Sequence, residues 1–194
     1  MIIREYQEKD ELQWVRCRVL SFLDSAYFDN ILREKEHYLH PAVELVAEAD
    51  DKVVGFIDVE YENEPGDVCY LKGSLGGVIW HLGVLPEYRS LGVASSLLEE
   101  SIERLKKLGV KRIEAWTRDD KWVNEWYIRR GFAWKESYLH VYAESSECDN
   151  ACQSKDEDLL ICNCYAHYIG SDREAVKKQY KRVHECNLYE LQLD

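Results

Sequence analysis

Apolar residues change their spacing repeatedly along this chain, and each change marks an element. Ile2 to Tyr6 reads as a short strand, after which Leu12, Val15, Val19, Leu20 and Leu23 recur at helical spacing across Lys9 to Asp24. Ala26 to His40 predicts a second short helix with Phe28, Ile31 and Leu32 inward, closed by Pro41. Val43 to Ala49 and Val53 to Tyr61 read as two strands joined as a hairpin across Asp50, Asp51 and Lys52. Glu62 to Gly77 is polar and glycine-punctuated, a loop whose GSLGG tip offers few side chains to hold it.

Val78 to Leu85 resumes as an apolar strand. Leu91 to Leu108 then carries Val93, Leu97, Leu98, Ile102 and Leu105 on one helical face and charged residues on the other, with Gly109 as the stop. Arg112 to Thr117 predicts a strand, Asp119 or Asp120 caps a helix running to Arg130, and Gly131 ends it. Trp134 to Ala143 is a further strand. Beyond Glu144 come a polar connector, the β-like run ICNCYAHYI, a helix from about Arg173 to His184, and a closing LYELQL. This order of elements is α/β with a mixed sheet. Residues 1–143 are expected to form the main domain, with 144–194 as an extension packed on it.

Composition narrows the function. With 46% hydrophobic residues, 32% charged residues and 3 prolines, the chain is expected to be globular and ordered nearly throughout. The start lacks a basic region followed by an apolar one and no run approaches a bilayer span, so a cytoplasmic protein with no membrane partner is expected. A net charge of -12 argues against nucleic acid, whose phosphates need a concentrated basic face, and suits a cationic or neutral substrate. Seven cysteines, an odd number, read as free thiols. Five of them, Cys148, Cys152, Cys162, Cys164 and Cys186, lie late, near His167 and His184, but their spacings match no standard zinc knuckle. Buried free thiols are the favoured reading and no metal is expected; a zinc-stabilised interaction protein is the alternative.

The richest chemistry lies in WHLGVLPEYRSLGVASSLLEE, Trp80 to Glu100, where strand turns into helix. A helix start leaves N–H groups without partners and carries partial positive charge, so it attracts an anion. Within Arg89-Ser90-Leu91-Gly92-Val93-Ala94, Gly92 permits close backbone approach, Ala94 keeps its position small, and Arg89 adds a cation. The segment contains neither a P-loop ending nor G-x-G-x-x-G. Taken as six residues, R-x-x-G-x-A also fits an ordinary strand-to-helix turn with a surface arginine.

Combined with Tyr127-Ile128-Arg129-Arg130-Gly131-Phe132, the segment resembles the GNAT superfamily of acyl-CoA-dependent N-acetyltransferases. Trp80 to Glu100 is similar to that family's strand, β-bulge and pyrophosphate loop, Q/R-x-x-G-x-G/A, and Tyr127 to Phe132 to its Y-x-x-x-G-F element. The likeness extends in element order from about Ile2 to Ala143. It implies a mostly antiparallel sheet with splayed strands flanked by helices, and acetyl-CoA as co-substrate. Backbone groups of Leu82, Gly83 and Val84 would bind the pantetheine arm, and Arg89, Ser90, Leu91, Gly92, Val93 and Ala94 the pyrophosphate. Many members carry asparagine seven residues before the tyrosine; here Asp120 stands there, with Asn124 out of phase.

The resemblance implies direct attack of an amine on the thioester in a ternary complex, with no covalent cysteine. Tyr127 would face the departing sulfur, and a backbone N–H freed by a bulge near Leu82 to Val84 would face the carbonyl oxygen. Spacing alone would instead make Tyr127 a core aromatic beside Trp122, Trp126 and Phe132. His81 is the first candidate base, with Asp58 and Glu60 as a carboxylate relay or substrate contact. Asp24, Tyr27, Tyr61 and Tyr70 could line the acceptor side, taking a small-molecule or peptide amine. The tail from Glu144 could pair with the sheet edge, cover the acceptor site or form a homodimer contact. A non-catalytic acyl-CoA sensor is the alternative function.

Overall fold

The computed structural model describes residues 1–193. Its strands are β1 (Ile2–Glu5), β2 (Ala42–Ala49), β3 (Lys52–Tyr61), β4 (Gly76–Val84), β5 (Arg112–Thr117), β6 (Ala133–Glu144), β7 (Asn163–Tyr168) and β8 (Arg182–Gln192). The helices are α1 (Glu11–Phe22), α2 (Val93–Lys107), α3 (Lys121–Arg129), α4 (Cys148–Ala151) and α5 (Arg173–Gln179). The strands form one sheet in the order β1-β2-β3-β4-β5-β8-β6-β7. Every neighbouring pair is antiparallel except β4 and β5, which run parallel. This is the mixed, mostly antiparallel architecture the sequence implied.

The β2–β3 hairpin closes through Asp50 and Asp51, at φ 50 and 58, between the paired Ala49 and Lys52. A two-residue turn with positive φ at both positions matches the twist of the flanking strands, and aspartate tolerates it better than most residues. β3 is buried on both faces because α1 covers one side and α2 the other. Val93, Leu97, Leu98 and Leu105 of α2 are buried, as their spacing predicts, and Gly109 leaves the helix at φ 85.

Three expectations need correction. Leu12, Leu20 and Leu23 are exposed, while Trp14, Cys17, Arg18 and Ser21 form the buried stripe of α1. That stripe has helical spacing but includes two polar residues, so an apolar count selects the wrong face. Ala26 to His40 forms turns rather than a helix, with Phe28 and Ile31 exposed. Its backbone is claimed by distant side chains: Arg18 binds the Asn30 carbonyl at 2.6 Å, and Asp120 accepts the Ala26 N–H at 3.0 and 3.1 Å. Finally, α5 ends at Gln179, and the strand expected only at LYELQL begins at Arg182.

The tail is built into the sheet. β8 lies between β5 and β6, pairing with both, and β7 forms the outer edge on β6. The glycine-rich loop before β4 is also firmly tied. The buried Glu62 carboxylate accepts the N–H groups of Gly66, Cys69 and Gly76 at 2.7, 3.0 and 2.8 Å. Glu114 accepts those of Tyr70 and Leu71, both at 2.9 Å, and Arg112 pairs with Glu114. No helix among the described residues is long and apolar enough to cross a membrane.

Candidate functional site

β4 and β5 pair only from Gly76–Arg112 to Ile79–Ala115, although β4 runs on to Val84 and β5 to Thr117. Beyond Ile79 the two strands diverge, opening a cleft of about 710 Å3 in the middle of the sheet. The divergence begins at a bulge. Val59 pairs with Ile79 and Asp58 with His81, leaving Trp80 as the extra residue. The bulge is thus at Trp80, and the expected position between Leu82 and Val84 is corrected: those residues pair regularly with Ile57, Phe56 and Gly55.

Leu85 donates its N–H to Val54, so strand alternation turns the Gly83 peptide toward β3 and those of Leu82 and Val84 toward the gap. Gly83 is small because a Cβ there would lie 2.5 Å from the Phe56 ring and 3.2 Å from Ser21. The missing side chain lets α1 seat directly over the strand.

At the gap's far end, a short turn at Pro86–Tyr88 leads to Ser90, at φ 61, and Gly92, at φ 85 and ψ 0, before α2 begins at Val93. No side chain caps α2, and its first turn contains no acidic residue. The unpartnered N–H groups and the positive end of a fifteen-residue helix therefore face the cleft. A Cβ on Gly92 would meet nothing within 4 Å, so glycine is required there by backbone conformation and not by crowding. Ser90, Gly92, Val93 and Ala94 line the cleft, and Leu91 is exposed beside them.

Arg89 also lines the cleft, but its guanidinium is already engaged. It forms a two-pronged pair with Asp24 at 2.6 and 2.9 Å, donates to the Ser21 carbonyl at 2.8 Å, and sits 5.2 Å from the Trp122 ring centre. Arg89 holds the Asp24 carboxyl below its ordinary range. The pair braces the end of α1 against the turn, so Asp24, expected on the acceptor side, stands beside the anion-attracting turn.

Tyr127 is buried on α3, edge-on to Trp126 and Phe132 at 5.1 Å each and stacked on Tyr189 at 5.7 Å. It borders the cleft, and burial alone pushes its hydroxyl well above the usual tyrosine pKa. The ring is thus packed in the core, as its spacing alone suggested, and also borders the cleft. Asp120 accepts from Ala26 and its carboxyl is pushed up by burial. Asn124 is consumed structurally: its amide donates to Arg118 and Asp120 carbonyls, and its oxygen accepts from Asn187 and Tyr189.

His81 also lines the cleft, on the α1 face of β4. Its Nε2 lies 2.8 Å from Glu36 Oε2, and its Nδ1 faces Arg18 Nε at 3.5 Å. Burial lowers its pKa, partly opposed by the hydrogen bond to Glu36. A neutral imidazole with the proton on Nε2 satisfies both neighbours. Asp58, opposite His81, is fully buried with its pKa pushed up to about 7 by desolvation, opposed by Lys35 at 3.4 Å. Its Oδ2 accepts from Tyr38, and its Oδ1 has no partner among the described residues. Glu60 accepts from Trp80 Nε1 at 2.7 Å and from the His40 N–H at 2.9 Å.

Of the remaining acceptor-side residues, Tyr27 lines the cleft beneath Arg118, Tyr70 is exposed beside Trp116, and Tyr61 packs on the main core. Sequence reasoning missed Lys35, Glu36 and Tyr38, because it assigned 26–40 to an ordinary helix, and Arg18, because it sought only apolar residues on the buried face of α1. The density of charge in REKEHYLH was the available signal. Among the described residues no group of three or more His, Cys, Asp or Glu is arranged to hold a metal ion.

Comparison with known proteins agrees with this geometry. The chain is 29% identical over 107 residues to an acetyltransferase of Pectobacterium atrosepticum, a match covering 55% of this chain and 66% of that protein. Its fold is similar to that of a GNAT-family acetyltransferase from Streptococcus pneumoniae, with a TM-score of 0.64 and 14% identity over 100% of this chain and 99% of the other. It is also similar to a GNAT-family acetyltransferase from Elizabethkingia anophelis solved with acetyl-CoA bound, with a TM-score of 0.54 and 14% identity over 99% and 97% of the two chains. Residues 4–132 match the model of the acetyltransferase (GNAT) family, and the chain belongs to that family.

Proposed function

We propose that this protein is a cytoplasmic N-acetyltransferase, moving acetyl from acetyl-CoA to a primary amine by direct attack in a ternary complex. The observation that carries this reading is the uncapped start of α2 at the end of the gap between β4 and β5. The acetyl-CoA held by the structurally similar Elizabethkingia protein supports the choice of ligand. In this reading Ser90 to Ala94 hold the diphosphate by backbone N–H groups, with Arg89 bracing the turn. Leu82, Gly83 and Val84 present the strand edge along which pantetheine lies. Residues 144–194 complete the sheet on the acceptor side. Seven free thiols agree with a reducing compartment.

The amine nitrogen attacks the thioester carbon, the C–S bond breaks, and the thiolate leaves. Tyr127 stabilises that thiolate by donating a hydrogen bond. Its raised pKa widens the gap to a thiol's value of about 8.5, which makes full proton transfer from the phenol still more costly. The ammonium form of the acceptor must first lose a proton. His81 takes it through water, and the exposed Glu36 carboxylate steadies the imidazolium that forms.

Titration with acetyl-CoA followed by a thiol-release assay over amines tests the reading, with binding and turnover expected. Because burial lowers the His81 pKa, neutral imidazole persists below pH 6.5, so the acidic limb of kcat should lie below that value. His81→Gln should lose this limb; retaining it unchanged would exclude His81. Both His81 ring nitrogens face protein groups, which favours the sensor as a second reading, and saturable binding without thiol release would establish it.

A further inference from the structure

Residues 31–40 form a strap beside α1, and among the described residues no backbone-to-backbone hydrogen bond holds it. Side chains fasten it instead. Tyr38 donates its hydroxyl to Asp58 at 3.1 Å, and Glu60 accepts the His40 N–H at 2.9 Å. The most deeply set fastening is Lys35, which is 2% exposed. Its ammonium lies 5.0 Å from the centres of the Tyr6 and Tyr38 rings and 5.3 Å from that of Trp14. It pairs with Glu44 of β2 and, at 3.4 Å, with Asp58 of β3. A lysine is buried this fully only where rings and carboxylates replace its water, so the box is specific to an ammonium group.

The next residue has the opposite character. The Glu36 side chain is half exposed, yet its Oε2 stands 2.8 Å from His81 Nε2. An exposed carboxylate on a segment without a backbone ladder would not by itself stay on one imidazole, because the gain from such a pair barely exceeds the freedom it removes. Lys35 supplies the missing restraint. Its ammonium donates to the Glu36 carbonyl at 3.2 Å, and its own backbone N–H is held by Glu11 of α1 at 3.1 Å. The backbone from which Glu36 reaches the imidazole is therefore tied to the box on both sides of the Lys35–Glu36 peptide.

We propose that Lys35 is a positioning residue, which from its box of rings and carboxylates holds Glu36 against His81 Nε2. Its part in catalysis rests on the acetyl-transfer reading above, in which His81 takes the acceptor's proton; its hold on Glu36 does not. With the contact kept, Nε2 carries the proton, Nδ1 is left facing Arg18, and an imidazolium finds its counter-charge within hydrogen-bonding distance. The charged groups around His81 are Glu36 on the strap, Arg18 on α1, Lys35 beside Glu36, and Asp58 opposite on β3, while β5 has left β4 before this level. Burial lowers the His81 pKa, Glu36 raises it, and the charges of Arg18 and Lys35 lower it. Lys35 thus acts on His81 in two opposed ways: its charge disfavours the imidazolium, and its hold on Glu36 favours it.

Titrating the His81 ring resonances by NMR in the whole protein separates these effects by sign. Lys35→Met should lower the His81 pKa, by at least about half of the fall produced by Glu36→Gln, and should add no further fall in the double variant. A lysine acting by charge alone would raise the pKa when removed, so a rise or no change in Lys35→Met overturns the proposal. A fall that persists in full on top of Glu36→Gln overturns it as well. The resonance belongs to folded molecules, so partial loss of stability does not shift it. Where Lys35→Met does not fold, Tyr6→Leu removes a half-buried wall of the box without changing charge. It should move the pKa in the same direction, and an unmoved value there contradicts the proposal. During acetyl transfer, the acidic limb of kcat in Lys35→Met should move down with the resonance while acetyl-CoA affinity is unchanged. A resonance that falls beside an unmoved limb would strike His81 as the base and leave the hold of Lys35 on Glu36 standing.

Discussion

Gly92→Glu is expected to raise the Kd for acetyl-CoA at least 100-fold in isothermal titration. Gly92 sits at φ 85, where a side chain costs about 1–2 kcal/mol by conflict with its own backbone. Relaxing that strain would turn the neighbouring N–H groups away from the diphosphate. The added carboxylate would also occupy the positive helix end, replacing an attraction worth about 0.3–2 kcal/mol with repulsion between like charges. A 100-fold loss corresponds to about 2.8 kcal/mol, which these effects together can supply. Gly92→Ala separates them: no atom lies within 4 Å of the new Cβ, so strain acts alone and the loss should be about tenfold or less. An unchanged Kd for Gly92→Glu would remove the diphosphate from this turn.

Tyr127→Phe should have the opposite profile, with kcat reduced by roughly 10–100-fold while acetyl-CoA binding stays within about twofold. Phenylalanine keeps the ring contacts with Trp126, Phe132 and Tyr189, so the fold should tolerate the change. In the proposed mechanism the change removes the donor that would meet the developing thiolate, an interaction present only as the C–S bond breaks. Removing it lowers kcat without weakening ground-state binding. Full activity in Tyr127→Phe would leave this residue only its role in the core.

Much of the frame was legible because its signals are local. The Asp50-Asp51 turn, the apolar stripe of α2 and the stop at Gly109 each depend on residues a few positions apart. The turn from Arg89 to Ala94 and the Tyr127-to-Phe132 element were likewise readable as short motifs. The bulge was harder to place: Trp80 is singled out only by how β3 pairs with β4, which no periodicity in β4 alone reveals.

The acceptor side was least legible, for a physical reason. Residues 23–40 take their shape from Arg18, Asp120 and Arg118, whose side chains bind their backbone in place of a helical ladder. Arg89 meets Asp24 across 65 positions of sequence, so an apparent free cation is in fact a brace. β8 enters the sheet between β5 and β6, an arrangement decided by long-range pairing. Even α1 concealed its inner face, because Arg18 and Ser21 serve the cleft and give its buried stripe a polar look.

Crystals of the protein soaked in coenzyme A would test the central claim most directly. The diphosphate should be found within hydrogen-bonding distance of N–H groups between Ser90 and Ser95, with pantetheine along Leu82 to Val84 and its sulfur near the Tyr127 hydroxyl. Coenzyme A seated elsewhere, with the start of α2 left free, would contradict it.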